Sequence, residues 1–324
     1  MPTDTAAFEQ NINTNEQGKH LATKGQTTQL KDIQKTKPLR VLSEADWQHW
    51  VTKGYVIIRK AVPPEKTAAV VNMLWQFREM NPVDDTTWYP PHLSEQQARE
   101  LSNSGMVEVY NHQSMWDTRQ HPRVYDAFVD IWDREDLWVT IDRANVNLPD
   151  RDTKISGQVD GFIHFDVDVS KRPLPISVQG VLSLLKQDLE VGGFQCVPGI
   201  FAQIDTWWNF QPKDSNPFQP DTTNYEIITP ELDAGDLVIF NSLLAHGVRQ
   251  NRSENRVRMA QYIAMSSADV EDAPLRQARI HTWSEQTHPT EDPFPGDPRG
   301  FEKKHFARAQ LNPLGRKLLG LDAW

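Results

Sequence analysis

The stretch FIHFDVDV, residues 162–169, alternates apolar and polar side chains as a β-strand with one buried face does. Residues i and i+2 of a strand project from the same face, so His164 and Asp166 are predicted to point in one direction. A second histidine, His246, follows much later, in the stretch FNSLLAHG at residues 240–247. This separation is long enough to place the two histidines on different strands of one barrel, where all three side chains can converge.

These three side chains form a candidate metal site. Two imidazoles and one carboxylate on one side of an iron ion leave other coordination positions open, an arrangement typical of non-haem Fe(II) oxygenases. We therefore predict that His164, Asp166 and His246 are iron ligands and catalytic residues. His-x-Asp alone is a weak signal, because a strand histidine is often structural and an aspartate two residues later often caps a turn.

The surrounding chain predicts a mainly β fold with flanking helices. Short strands separated by Gly and Pro turns favour a double-stranded β-helix (jelly roll) with helical buttresses over a parallel sheet with crossover helices. The predicted strands are residues 55–58, 137–148, 162–169, 178–185, 237–240, 245–250 and 256–264. The predicted helices begin after the N-cap Ser43, at Pro63-Pro64, and at Pro122, and a last one covers residues 306–319 with a break at Pro313.

The domain organisation is predicted to be simple. Residues 1–38 are polar and irregular and are predicted to form a mobile arm. Residues 39–324 are predicted to form a single jelly-roll domain, with a catalytic core at about 137–266 and a C-terminal extension of helices and loops at 269–324. A lid-like insert at about 204–223 carries Trp207, Trp208 and Phe210, which either close over the substrate or anchor the insert to the core.

Composition limits the possible partners. The chain has 324 residues and a formal net charge of −10, which disfavours nucleic acid as the main partner because phosphate binding relies on basic patches. No apolar run is long enough to cross a bilayer, and the N-terminus lacks the pattern of a secretory signal, so we expect a cytoplasmic protein without a membrane partner. The single cysteine, Cys196, excludes an internal disulfide and is predicted to serve packing. The sequence does not predict an oligomeric state.

A cluster of arginines follows His246, at Arg249, Arg252, Arg256 and Arg258. An oxygenase that uses 2-oxoglutarate must hold the distal carboxylate of this co-substrate, and the planar guanidinium group can do so through two parallel hydrogen bonds. Arg256 and Arg258 are two residues apart, so on a strand both side chains would project from the same face, and both are candidates to face the barrel interior. We favour Arg258, and we interpret Arg249 and Arg252 as solvated loop residues.

Three segments together resemble the phytanoyl-CoA dioxygenase family. They are His164-Phe165-Asp166, the element GGFQCVPG at residues 192–199, and the stretch from His246-Gly247 through Asn251-Arg252-Ser253 to Arg258. The resemblance covers about residues 45–265 and is strongest from residue 140 onward. In this family the arginine stands about eleven residues after the last histidine, and here Arg256 and Arg258 straddle that position. The closing strand RMAQY, residues 258–262, favours Arg258.

The resemblance implies a jelly-roll enzyme that uses Fe(II) and, as co-substrate, 2-oxoglutarate. His164, Asp166 and His246 would bind the iron, and Arg258 or Arg256 would bind 2-oxoglutarate, with Ser253 belonging to the family's usual Asn-x-Ser. The implied reaction consumes dioxygen and hydroxylates a small or medium organic molecule, with release of succinate and CO2. Retention of Asp166 argues against halogenation, whereas desaturation and ring formation stay open.

Other assignments and classes of function stay open. Asn145 and Asn147 are predicted to project from the same face of a strand. One of them either binds the 2-oxoglutarate carboxylate or serves as a structural amide in the sheet or in a turn. Asp168 either orients a metal ligand or is a surface carboxylate. The alternatives to the oxygenase are a cupin-like metalloenzyme that does not use 2-oxoglutarate and a non-catalytic jelly-roll binding module.

Overall fold

The structure is a computed structural model, and it describes residues 30, 33, 35–89, 105–149, 162–290 and 294–324. Its strands are β1 (Tyr55–Ile58), β2 (Met106–Val107), β3 (Leu137–Val139), β4 (Ala144–Asn147), β5 (Val178–Ser183), β6 (Gly193–Cys196), β7 (Leu237–Asn241), β8 (His246–Arg249), β9 (Arg258–Tyr262) and β10 (Met265–Ser267). Its α-helices are α1 (Glu44–Lys53), α2 (Pro64–Phe77), α3 (Gln113–Arg119), α4 (Pro122–Trp132), α5 (Pro198–Phe201), α6 (Ile204–Trp207), α7 (Ala273–Glu285), α8 (Phe301–His305) and α9 (Pro313–Leu319).

Two sheets form the barrel. The main sheet has six strands in the order β1-β7-β5-β9-β4-β2, and every pairing in it is antiparallel. The second sheet has β6 paired with β8, and single bridges extend it to His164 on one side and to Ile228 on the other. A hydrophobic cluster with members from both sheets, including Val181, Phe194 and Phe240, lies between them. This arrangement is the predicted jelly roll.

Helices cover the outer face of the main sheet. A second hydrophobic cluster joins α2, α3 and α4 to outward-facing strand residues such as Leu182, Ile239 and Met259. Helix α1 begins as predicted: the Ser43 side chain accepts the Asp46 N–H, and the Asp46 carboxylate accepts the Ser43 N–H. The predicted helices at Pro64 and Pro122 are confirmed, so the barrel is buttressed along one side.

Several predicted boundaries are wrong. Residues 162–169 do not form a strand, because only His164 joins a ladder and the Phe165 N–H turns away to the Phe218 carbonyl, at 2.9 Å. The predicted strand 137–148 is two strands, since β3 pairs with β10 and β4 belongs to the main sheet. The last helix begins only at Pro313, with Asn312 as its N-cap, and the helix α3 was not predicted.

The described part of the expected N-terminal arm lies against α4. Leu30 is 1% exposed, Lys35 forms an ion pair with Asp133 at 3.0 Å, and the Thr36 N–H donates to the same carboxylate at 2.9 Å. Most of the segment 1–38 lies outside the described residues, and its mobility stays a prediction. Within the ranges given above, none of the helices combines the length and the apolar character that crossing a membrane requires.

Candidate active site

The predicted metal ligands come together at one end of the barrel. One ligand atom from each of His164, Asp166 and His246 lies within 4.8 Å of the others. The Nε2 atoms of His164 and His246 are 3.6 Å and 3.5 Å from Asp166 Oδ1. The backbones of the two histidines also form a reciprocal pair, with N···O distances of 2.8 Å and 2.9 Å. The main chain therefore fixes the spacing of the two imidazoles.

His246 is held as a neutral imidazole. Its Nδ1 lies 2.9 Å from the Leu244 carbonyl, which can only accept, so Nδ1 carries the proton and Nε2 offers its lone pair towards Asp166. Burial lowers the pKa of His246 to about 4, despite the opposing attraction of Asp166. A deprotonated Nε2 is the form that binds a metal ion.

Asp166 provides the negative charge of the site. Burial alone would raise its pKa, but the neighbouring imidazoles of His246 and His164 bring the pKa below its ordinary value, so the group is a carboxylate at neutral pH. Asp166 Oδ2 is buried and has no hydrogen-bond partner within the described residues. An unpaired buried carboxylate oxygen is costly, and a divalent cation held with the two imidazoles would compensate it. The donor set therefore fits a metal ion.

Aromatic rings enclose the imidazoles. Phe162 stacks on His164 with ring centroids 5.2 Å apart and an interplanar angle of 11°. Phe240 and Phe194 lie 4.4 Å and 6.2 Å from the ring of His246. These contacts restrict the orientation of both rings.

Because the pKa of His246 is depressed, stability should depend on pH. Between about pH 6.5 and pH 4 the unfolded chain binds about one more proton at this residue than the folded protein, so the free energy of unfolding falls on acidification through this window. In this pH window we expect the free energy of unfolding of His246→Gln to depend less steeply on pH, with the slope reduced by the equivalent of about one bound proton. Urea unfolding of the metal-free proteins at several pH values measures it, and equal slopes for the two proteins would contradict the assignment.

Arg258 lies inside the barrel on β9 and is 1% exposed. Its Nη1 donates to Asn145 Oδ1 at 2.5 Å and to Asn147 Oδ1 at 2.8 Å, and its Nε donates to Gln187 Oε1 at 3.3 Å. The two asparagines are neighbours on β4, where Asn147 is the cross-strand partner of Arg258. Burial lowers the pKa of Arg258 from its usual value, and the hydrogen-bonded hydroxyl group of Tyr262 opposes this shift. Among the described residues, no carboxylate forms an ion pair with this guanidinium.

Arg256 does not face the barrel interior. Its guanidinium binds Asp188 through bonds of 2.6 Å and 3.0 Å and Glu190 through a bond of 2.8 Å, and its side chain is 39% exposed. The prediction that Arg256 projects from the same strand face as Arg258 is wrong, because β9 begins only at Arg258. The guanidinium of Arg256 therefore closes a surface loop.

Ser253 also serves the loop between β8 and β9. Its hydroxyl group lies 2.6 Å from Asn251 Oδ1 and 2.9 Å from the Arg256 carbonyl. The Asn251 amide donates to the Asn147 carbonyl at 3.1 Å and so ties this loop to β4. The Asn-x-Ser segment thus supports the strand that carries the Arg258 partners, and a direct contact between Ser253 and 2-oxoglutarate stays a prediction.

The remaining candidates lie around the barrel. Trp207 is buried, with its ring 5.7 Å from that of Phe165, whereas Phe210 is 82% exposed and Trp208 is half-buried. Their role as a lid stays a prediction.

Two further candidates have structural surroundings. Asp168 accepts hydrogen bonds from the N–H and hydroxyl groups of Ser170 in a turn, and it does not contact the metal ligands. Cys196 is buried opposite His246 in the ladder, and burial raises the pKa of its thiol, which agrees with a packing role.

Sequence reasoning missed Gln187. This residue is 1% exposed, and it reaches Arg258 because its backbone pairs with that of Leu232, far along the chain. The available signal was its position five residues before Gly192 and two residues after the predicted strand 178–185. Nothing in that position indicates a contact with Arg258.

Comparisons with known proteins agree with this geometry. A family model described as phytanoyl-CoA dioxygenase (PhyH) matches residues 50–260. A curated protein of Aspergillus versicolor, "Ava biosynthesis cluster protein O", is 26% identical over 248 residues, which make up 68% of this chain and 77% of that protein.

Two solved structures show a similar fold. The hypothetical protein JW0805 from Escherichia coli has a TM-score of 0.60 at 14% identity, covering 86% of this chain and 82% of that one. GlcNAc Inducible Gene 2 (GIG2) from Candida albicans has a TM-score of 0.61 at 13% identity, covering 99% and 86%. At such identities the likeness concerns the fold alone, whereas the family model covers well over half of the chain. The protein therefore belongs to the phytanoyl-CoA dioxygenase family, as its three motifs predict.

Proposed function

We propose that the protein is an Fe(II)- and 2-oxoglutarate-dependent dioxygenase that hydroxylates a small or medium organic molecule and releases succinate and CO2. The observation that carries the proposal is the pairing of two features inside one barrel. One is the triad of His164, Asp166 and His246, whose donor chemistry suits Fe(II). The other is the buried cation of Arg258, whose side-chain partners are three neutral amides and the phenol of Tyr262. A metal chelator with a second, distal carboxylate would satisfy both.

In this proposal each group of the chain has a defined task. His164, Asp166 and His246 would hold the iron, and Arg258 would bind the distal carboxylate of 2-oxoglutarate. Asn145 and Asn147 would hold the guanidinium through their amide oxygens and would not bind the carboxylate with those atoms. When bound, the iron and 2-oxoglutarate supply the activation of dioxygen that is coupled to oxidative decarboxylation.

The surroundings of the triad support a water-poor reaction site. Phe162, Phe194 and Phe240 flank the imidazoles, and His246 keeps its proton on Nδ1 through the Leu244 carbonyl. Exclusion of water strengthens the electrostatic interactions within the site. The name of the Aspergillus versicolor relative places that protein in a biosynthesis cluster, which supports a small organic molecule as the substrate class here.

The proposal is tested by an anaerobic titration of the metal-free protein with Fe(II) and then with 2-oxoglutarate, followed by visible absorption. We expect a weak charge-transfer band only when both are present, because the band requires the keto acid bound at the iron. Dioxygen should then yield succinate in proportion to the 2-oxoglutarate consumed. Iron binding without the band would favour a metalloenzyme that does not use 2-oxoglutarate, and no binding of either would favour a non-catalytic module.

A further inference from the structure

We propose that Gln187 is a positioning residue for Arg258. With Asn145 and Asn147 it forms an amide cage, which orients the guanidinium without neutralising it and so reserves the positive charge for an incoming carboxylate. This inference rests on the proposed function, because it takes that carboxylate to be the distal group of 2-oxoglutarate. It concerns a residue that touches neither the metal ligands nor the iron.

The amide of Gln187 has a single possible orientation. Its Nε2 lies 2.7 Å from the hydroxyl oxygen of Ser183, and that hydroxyl already donates its proton to the Leu185 carbonyl at 2.7 Å. The Ser183 oxygen can therefore only accept from Gln187, which fixes Nε2 on this side and Oε1 on the side of Arg258. The backbone is fixed as well, since Gln187 and Leu232 exchange N–H···O bonds of 2.8 Å and 3.0 Å.

The chain leaves room for this contact by having a glycine opposite it. A Cβ atom on Gly193 would stand 2.1 Å from Gln187 Oε1 and 3.2 Å from Arg258 Nε. Gly193 also has φ +118°, a conformation that side-chain-bearing residues rarely adopt. The amide of Gln187 consequently sits in a space bounded by backbone, and it cannot move away from Arg258 towards β6.

The neutral charge of the cage distinguishes Arg258 from two other arginines of the protein, Arg143 and Arg256. Arg143 is as buried as Arg258, and it pairs with Glu108 at 2.9 Å. Arg256 pairs with Asp188 at 2.6 Å. A carboxylate neutralises the guanidinium, whereas an amide oxygen holds its orientation and leaves its charge. A buried cation without a counter-ion is costly, so the arrival of a carboxylate at Arg258 relieves that cost and gains affinity.

The test is to place a carboxylate inside the cage with Gln187→Glu, which hardly changes the shape of the side chain. We expect 2-oxoglutarate binding to weaken by about 100-fold or more, because Arg258 would already be neutralised. The melting temperature should stay equal or rise, since a buried ion pair replaces an uncompensated cation. Gln187→Ala should weaken binding by only about 3- to 10-fold, through lost orientation. Affinity is read from the anaerobic Fe(II) and 2-oxoglutarate titration, and stability from thermal unfolding.

Gln261→Glu is the matched control. Gln261 is equally buried on the same strand as Arg258, but it faces the helix α3, where it contacts Thr118 and Met115. We expect this variant to lower the melting temperature and to leave the affinity for 2-oxoglutarate within about twofold.

The outcomes separate the inference from the proposed function. If Gln187→Glu binds 2-oxoglutarate within threefold of the unchanged protein, or loses affinity only together with a large fall in melting temperature, the positioning role is overturned and the oxygenase proposal stands. If the unchanged protein shows no response to 2-oxoglutarate, both are overturned. Should Gln187→Glu not fold, Gln187→Ala decides: weaker binding at an unchanged melting temperature supports the role, and unchanged binding overturns it.

Discussion

Replacing Asp166 with alanine is expected to abolish iron binding and succinate formation. Asp166 is the one anionic donor of the triad, and both imidazoles lie within 3.6 Å of its Oδ1. Loss of a residue that merely orients a ligand typically costs 10- to 100-fold in metal affinity, so loss of this ligand should cost more than about 100-fold. Turnover should fall below detection, because the site would lose its anionic ligand and would hold Fe(II) only through two imidazoles.

The same variant should destabilise the metal-free protein only slightly. Asp166 Oδ2 is buried without a partner within the described residues, so its removal relieves a desolvation cost, which offsets part of the lost interactions with the imidazoles and of the small cavity. Asp168→Ala is the matched control, since that carboxylate is two residues away and binds the Ser170 turn. We measure iron content, succinate release and thermal unfolding of both variants. Turnover of Asp166→Ala within tenfold of the unchanged protein would remove Asp166 from the site.

Arg258→Ala is expected to raise the concentration of 2-oxoglutarate needed for half-maximal turnover by about 100- to 4,000-fold. Removing one partner of a buried charge pair costs about 3–5 kcal/mol, and each 1.4 kcal/mol corresponds to a factor of ten. Iron binding should persist, because Arg258 contacts amides and not the triad. The effect should therefore appear in the affinity for 2-oxoglutarate and not in the metal content.

Arg256→Ala provides the comparison for this prediction. Its guanidinium pairs with Asp188 and Glu190 at a half-exposed position, where an ion pair contributes up to about 1 kcal/mol. We expect less than a threefold change in the 2-oxoglutarate requirement. Steady-state succinate formation over a range of 2-oxoglutarate concentrations distinguishes the two variants. A larger effect for Arg256→Ala than for Arg258→Ala would reverse the assignment.

Local sequence signals predicted most of the fold. The strands β5, β7 and β9 and the helices α1, α2 and α4 follow from periodicity, from proline at the helix start and from the Ser43 cap, all of which act over a few residues. The strand predicted at 162–169 failed because its backbone groups find partners far along the chain, such as the Phe218 carbonyl for Phe165. Strand β6 was not predicted, because Gly193 has the positive φ expected of a turn yet belongs to the ladder.

The site could be predicted to a similar extent. The three ligand types were identified from their spacing, although His164 and Asp166 converge through a bend and not through strand alternation. The choice between Arg256 and Arg258 needed the exact start of β9, and boundaries of this kind are the weakest part of sequence reasoning. Gln187 was beyond reach, because its contact with Arg258 depends on the bridge to Leu232.

The reciprocal backbone pair between His164 and His246 has a consequence for redesign. The ladder bonds join main-chain atoms, so the distance between these two positions does not depend on which side chains they carry. The backbone that positions the two metal ligands is thus independent of the side chains that residues 164 and 246 carry. Other donor side chains at positions 164 and 246 would keep this backbone spacing, so the ligand set can be varied while the barrel is retained.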